Sequence, residues 1–209
     1  MSQASGALHE PFESGVRQRE ATIFAIWTFL ASELLLFGGM FFAFYIYRRA
    51  HPGGFDAGAH HTNLLFGAIN TALLLTSSFA MSVAGRALEV KRSALAELCI
   101  WITLSLGVGF LGVKGLEYAQ DLHEHLWPDI HFDGADPSER IFFGFYWTMT
   151  FIHSCHLIIG LGFLARLGLM ARTRVLEANS DSVETTSLYW HLVDVIWIMV
   201  FTTLYLVGK

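Results

Sequence analysis

The chain has 209 residues, 54% of them hydrophobic and 15% charged, with a formal net charge of −5 and a mean hydropathy of +0.48. Soluble domains carry about 25% charged residues, so this composition excludes an ordinary soluble domain and points into a lipid bilayer. Net acidity with scattered basic residues also excludes nucleic-acid binding, which needs a concentrated positive face.

Residues 1–21 lack the basic start and short apolar core of a signal peptide. They read as a cytoplasmic segment ahead of a single membrane domain, residues 22–209. A bilayer core about 30 Å thick needs about 20 apolar residues at 1.5 Å rise each. Five such blocks occur, near residues 22–47, 63–85, 94–113, 141–165 and 187–207, and all four prolines lie outside them. With no water to satisfy the backbone, each block is predicted as a helix, which makes the chain all-α: a polytopic membrane bundle of five transmembrane helices. Eight Lys and Arg residues fall on the side of the N-terminus and five on the other. That bias orients the N-terminus to the cytoplasm and the C-terminus to the periplasm. Cys99 and Cys155 lie in apolar blocks without C-x-x-C spacing and read as small buried hydrophobes.

An ionisable side chain at the bilayer centre costs roughly 2.5–3.5 kcal/mol, so each one needs a partner, a cavity or a function. In the first block Glu33 stands roughly 16 Å deep by helix rise, near the midplane. Two roles are open to it: a carboxyl hydrogen-bonded to a neighbouring helix, or a proton- or lipid-linked group. In the third block Glu97 is placed to snorkel to the near face. Lys114, Glu117 and Tyr118 stand at that block's outer end, where the i, i+3 spacing of Lys114 and Glu117 predicts a surface ion pair. Beyond them Asp121, Glu124, Asp129, Asp133, Asp136 and Glu139, with His123, His125 and His131, form an acidic external lip, explained by solvation, by a basic partner or by the collection of protons and cations.

The fourth block carries His153 and His156 on one helical face. A metal would need further ligands, and the Glu-x-x-His pairs of di-iron bundles are absent, so interhelical hydrogen bonding is the favoured reading. His191 and Asp194 repeat the i, i+3 spacing in the fifth block. They suit a structural polar contact, with each other or with His153 and His156, that offsets their shared desolvation. Ser105, Gly109 and Gly112, with Gly160 and Gly162, mark places where helices can approach closely. No haem or copper ligand set is encoded, so no cofactor or metal is expected on this chain.

Four stretches together resemble subunit III of the haem-copper respiratory oxidases: WTFLASELLLFGGMFFAFYIYRR, HTNLLFGAINTALLLTSSFAM, FLGVKGLEYAQ, and FIHSCHLIIGLGFL with SLYWHLVDVIWIMVFTTLYL. The likeness covers essentially the whole membrane portion. It is to the five-helix bacterial form, since the first two helices of the seven-helix form are missing. The resemblance implies that Glu33 is the carbodiimide-reactive membrane carboxylate and that Lys114, Glu117 and Tyr118 are the Lys-x-x-Glu-Tyr helix-end motif. It implies a non-catalytic subunit in the bacterial inner membrane, packed on oxidase subunit I with subunit II and a small subunit IV nearby. Such a subunit holds phospholipid in a cleft and supports proton uptake, while haem and copper sit in partner subunits and the choice of quinol or cytochrome c as donor is made there. An accessory subunit of a nitric oxide reductase complex shares this likeness. The residues by themselves also leave open a small independent transporter with Glu33, His156 and Asp194 as a relay.

Overall fold

A computed structural model describes residues 15–128, 137–172 and 180–206, and every regular element among them is helical. The long helices are α1 (Gly15–Ala50), α3 (Leu64–Glu89), α4 (Ser93–His123), α5 (Pro137–Arg172) and α6 (Ser180–Phe201), the last closed by a π-helical turn, Thr202–Leu206. Five segments are long and apolar enough to cross a membrane: Phe24–Ala50, Leu64–Glu89, Ser93–His123, Pro137–Arg172 and Ser182–Leu206. They coincide with the five apolar blocks. Arg174, Asp129, Asp133, Asp136, His131, Lys209 and most of the segment 1–21 lie outside the described residues.

The remaining helix, α2 (Pro52–His61), was not visible as an element in the hydropathy pattern. Proline at its first position is compatible with a helix start, where the missing N–H is not needed. Its Gly54, Phe55, Gly58 and Ala59 are buried against the first turns of α5. A Cβ on Gly58 would lie 2.5 Å from the Phe142 ring, so only glycine lets the two helices come this close. At about 15 Å, α2 is too short to span a bilayer and caps one end of the bundle.

The core lies among α3, α4, α5 and α6. Helix α3 packs along α4 and α6, and α5 closes the group from the other side of α4 and α6. The α3–α4 turn is tight: Arg92 N–H bonds Ala87 O at 2.8 Å and Lys91 N–H bonds Leu88 O at 3.0 Å, with Lys91 at φ 58° in the position usually given to glycine. Gly107 of α4 and Gly160 of α5 both receive the ring of Trp190, which is fully buried. The close contact on α4 is therefore made at Gly107, whereas a Cβ on Gly112 would meet open space. Helix α1 is different. It touches α5, α6 and α2 only lightly and leaves Phe24, Leu35 and Phe42 at least two-thirds exposed, as a helix facing lipid or another apolar surface does. Cys99 is buried as expected, but Cys155 faces outward.

Candidate functional site

Three groups of buried polar residues stand inside the spans. The first joins α1 to α5. Glu33, 9% exposed, puts Oε2 2.8 Å from His156 Nε2. The other ring nitrogen of His156 lies 2.8 Å from the Ile152 carbonyl, a contact that can only be made by Nδ1–H as donor. Nε2 is therefore the nitrogen without a proton when the ring is neutral, and it faces the Glu33 carboxyl at ion-pair distance. Phe37 meets the imidazole edge-on, with ring centroids 5.6 Å apart. Beside the pair runs a slot of about 390 Å³ between α1, α5 and α6. Its walls are apolar at Phe29, Ile159 and Phe163, and Arg166 with the hydroxyls of Thr185 and Thr186 stands at its polar end. Tyr189 closes one wall, donating its hydroxyl to His156 O at 2.9 Å.

The second group surrounds Lys114, which is 1% exposed. Its ammonium donates to Glu117 Oε2 at 3.0 Å, Tyr146 OH at 3.0 Å and Tyr205 OH at 2.8 Å, using all three protons. Tyr205 donates to Glu117 Oε1 at 2.6 Å. Tyr146 stands 3.0 Å from Glu117 Oε1 and 2.7 Å from Asp121 Oδ2, so one hydroxyl proton serves both acids. The rings of Tyr146 and Tyr118 lie 4.5 and 4.9 Å from the ammonium, close enough for cation–π attraction in a desolvated place. Tyr118 turns its own hydroxyl to Thr150 Oγ1 at 2.7 Å. The spacing of Lys114 and Glu117 correctly paired them, but the pair is buried rather than at the surface. Helix α4 continues past it to His123, so the motif is not the end of the helix. Asp121 and Glu139, counted in the acidic lip, are buried too, and Glu139 stands 3.2 Å from His61 Nε2 of α2.

The third group lies between α3 and α6. His191 Nδ1 is 2.7 Å from Ser78 Oγ and its Nε2 is 3.4 Å from Ser82 Oγ. Asp194 is 3% exposed, and neither of its carboxyl oxygens has a hydrogen-bond partner among the described residues. His153, fully buried, likewise has no partner on either ring nitrogen and is held between Phe110 and Trp197 at centroid distances of 5.7 and 5.2 Å. Asn70 of α3 is also fully buried with an unbonded side-chain amide. The structure thus brings Glu33 to His156 and leaves His153, His191 and Asp194 apart from one another. Glu97 reaches outward to Arg172, 3.6 Å away. Sequence reasoning did not find Ser78, Tyr146 or Tyr205 as polar partners. The one available signal was a lysine in an apolar block, which demands acceptors from other helices.

Among the described residues no three or more His, Cys, Asp or Glu stand close enough to hold a metal ion. The sequence pattern of cytochrome c oxidase subunit III matches residues 12–209. Relatives include a quinol oxidase subunit 3 of Bacillus subtilis, 32% identical over 207 residues, covering 97% of this chain and 95% of that one. A cytochrome bo(3) ubiquinol oxidase subunit 3 of Pseudomonas aeruginosa is 31% identical, over 90% of this chain and 85% of its own length. A cytochrome c oxidase subunit 3 of Thermostichus vulcanus is 31% identical over 90% and 88%.

Proposed function

This chain belongs to the cytochrome c oxidase subunit III family, and from that premise we propose that it serves as the non-catalytic third subunit of a haem-copper terminal oxidase of the aerobic respiratory chain. The family forms part of multi-subunit oxidase complexes, and oxygen reduction is the work of companion chains. The end-to-end match to quinol and cytochrome c oxidase subunits carries this reading. In it the chain is a multi-pass protein of the bacterial inner membrane with its N-terminus in the cytoplasm and a single membrane domain, residues 22–209. Subunit I is its main contact, with subunit II and a small subunit IV nearby.

Glu33 and His156 are proposed as the proton- or lipid-linked pair. Supporting this, the pair is buried and flanks a slot with an apolar wall and a cationic, hydroxyl-lined end. A phospholipid acyl chain suits the wall, and a phosphate suits Arg166. Lys114, Glu117 and Tyr118 are given a structural role, and His153, His191 and Asp194 are given no catalytic one.

Gentle detergent extraction tests the assignment: the chain should travel with haem-containing subunits, identified by their absorption spectrum, and its separation from all haem protein would refute it. For the carboxylate, Glu33→Gln should leave assembly largely intact and abolish carbodiimide labelling of this chain. Undiminished labelling of the variant would remove Glu33 from the role.

A further inference from the structure

We infer that Trp197, Tyr205, Tyr146, Trp147 and Trp127 form a path along which single electrons pass between the core of the bundle and the face that carries the α4–α5 connection. Successive rings along it stand 6.3, 6.1, 6.0 and 4.8 Å apart, centroid to centroid, the spacing of aromatic pairs in contact. Trp197 and Tyr205 are fully buried, Tyr146 and Trp147 nearly so, and Trp127 is 46% exposed, so the path leads from the interior to the surface. Elsewhere the bundle packs its aromatic rings with phenylalanine: Phe44, Phe55, Phe142 and Phe145 cluster at centroid distances of 5.1–6.4 Å. Phenylalanine does not give up an electron readily, whereas all five rings of the path belong to the two residue types that do. At the inner end Trp197 lies between Phe110 and His153, which do not continue it.

A phenol is readily oxidised only if its proton has somewhere to go, and the Lys114 group, besides holding helices together, provides for both tyrosines. Tyr205 stands 2.6 Å from Glu117 Oε1 and Tyr146 2.7 Å from Asp121 Oδ2, each a carboxylate able to accept. With both acids ionised, two negative charges face the one ammonium, so removal of an electron brings the group to neutrality. Each transfer balances. Once Trp197 has given an electron to an oxidant, Tyr205 refills it and passes its phenol proton to Glu117, leaving a neutral tyrosyl radical. Tyr146 then supplies an electron to Tyr205, which takes its proton back from Glu117, while the Tyr146 proton moves to Asp121. Trp147 reduces Tyr146, Asp121 returns the proton, and Trp127 reduces Trp147. The indole N–H of Trp147 donates to the Leu126 carbonyl at 3.2 Å, which steadies a cation on that ring without removing its proton. Tyr118 stacks on Trp147 at 4.4 Å but turns its hydroxyl to Thr150, which cannot keep a proton, so it is a side arm. In sum one electron enters at Trp127 from a water-borne one-electron donor of the thiol or hydroquinone class, one leaves at Trp197, and every proton is back in place. That the oxidant is a one-electron oxidant formed as companion chains reduce oxygen rests on the assignment above; the path itself does not.

The test is photo-oxidation of the detergent-purified complex carrying a ruthenium polypyridyl label near the inner end. Val195→Cys or Met199→Cys places it at an exposed position on either side of Trp197, in a Cys155→Ser background because that thiol is exposed. A flash with a sacrificial cobalt(III) ammine quencher generates the oxidant without turnover, and the same preparation lacking the introduced cysteine is the blank. A water-soluble nitroso spin trap then marks surface radicals, which peptide masses locate, while electron paramagnetic resonance follows the tyrosyl signal. An adduct on Trp127 and a short-lived tyrosyl radical are expected. Trp147→Phe should lower the Trp127 adduct by an order of magnitude and prolong the tyrosyl radical by as much. Trp127→Phe changes an exposed ring, so it keeps the test decisive should Trp147→Phe fail to assemble; it should abolish the adduct and likewise prolong the radical. If Trp127 takes no adduct above the blank, or the tyrosyl lifetime in Trp127→Phe equals that of the parent, the inference is overturned. Because light supplies the oxidant, such a failure leaves the oxidase assignment standing, and separation of the chain from all haem protein would refute that assignment without touching the path.

Discussion

The Lys114 group and the Asp194 group are both buried sets of ionisable residues, yet they are built in opposite ways. Around Lys114 every ammonium proton has an acceptor, and Glu117 accepts on both oxygens. Among the described residues both carboxyl oxygens of Asp194, both nitrogens of His153 and the whole Asn70 amide have no hydrogen-bond partner. A saturated network behaves as a lock, because any loss strands a charge where water cannot repair it. An unsaturated one holds little structure together and keeps capacity for a proton or a water. Burial alone does not tell a locked group from an open one; the count of satisfied hydrogen bonds does.

The difference is broken most forcefully at Lys114. Lys114→Met leaves Glu117 and Asp121 facing each other across Tyr146 with no cation, and removal of one partner from a buried ion pair costs about 3–5 kcal/mol. Thermal unfolding of the detergent-solubilised complex should show the chain released well below the parent transition. Lys114→Met combined with Glu117→Gln should recover part of the loss. An unchanged transition in the single variant would mean that water reaches the group.

A smaller effect is expected at Tyr205. Its hydroxyl accepts from Lys114 at 2.8 Å and donates to Glu117 at 2.6 Å, so it shields the pair without carrying charge. Tyr205→Phe keeps the ring, which fills a fully buried site, and removes two bonds to charged groups. A cost of about 1.5–3 kcal/mol follows, read as a lower midpoint in the same unfolding experiment. A double-mutant cycle with Glu117→Gln should show coupling between the two positions, and strict additivity would separate Tyr205 from the lock.

How much of this was legible in the sequence follows from range. The five spans announce themselves because the bilayer sets a length and a composition that local residues must meet on their own. Helix α2 does not, because ten residues containing Gly53, Gly54 and Gly58 are held as a helix by α5 rather than by their own propensity. Lys114 and Glu117 pair over three residues and were readable. Tyr146 and Tyr205, 29 and 88 residues from Glu117, come to it only by tertiary packing. Glu33 and His156 each stood out as polar groups in apolar blocks, but 2.8 Å between them is a property of how α1 meets α5. Small-residue spacing pointed to close approach on α4 and did not say which face meets Trp190; the answer, Gly107, depends on the rotation of α4 within the bundle.

The smallest effect is expected where the sequence suggested a lock, at Asp194. An aspartate that anchored helices would lose bonds on conversion to asparagine, but here neither oxygen has a hydrogen-bond partner among the described residues, so Asp194→Asn breaks no hydrogen bond and keeps the volume. The amide also needs no proton to be neutral, which eases its burial beside Val193 and Trp197, both essentially inaccessible. The unfolding midpoint of the complex should therefore move by less than the equivalent of about 1 kcal/mol, while Lys114→Met in the same preparation moves by several times more. If Asp194→Asn releases the chain as readily as Lys114→Met does, the carboxyl is bonded in the assembled complex, and the contrast between a saturated and an unsaturated interior fails at the residue on which it depends most.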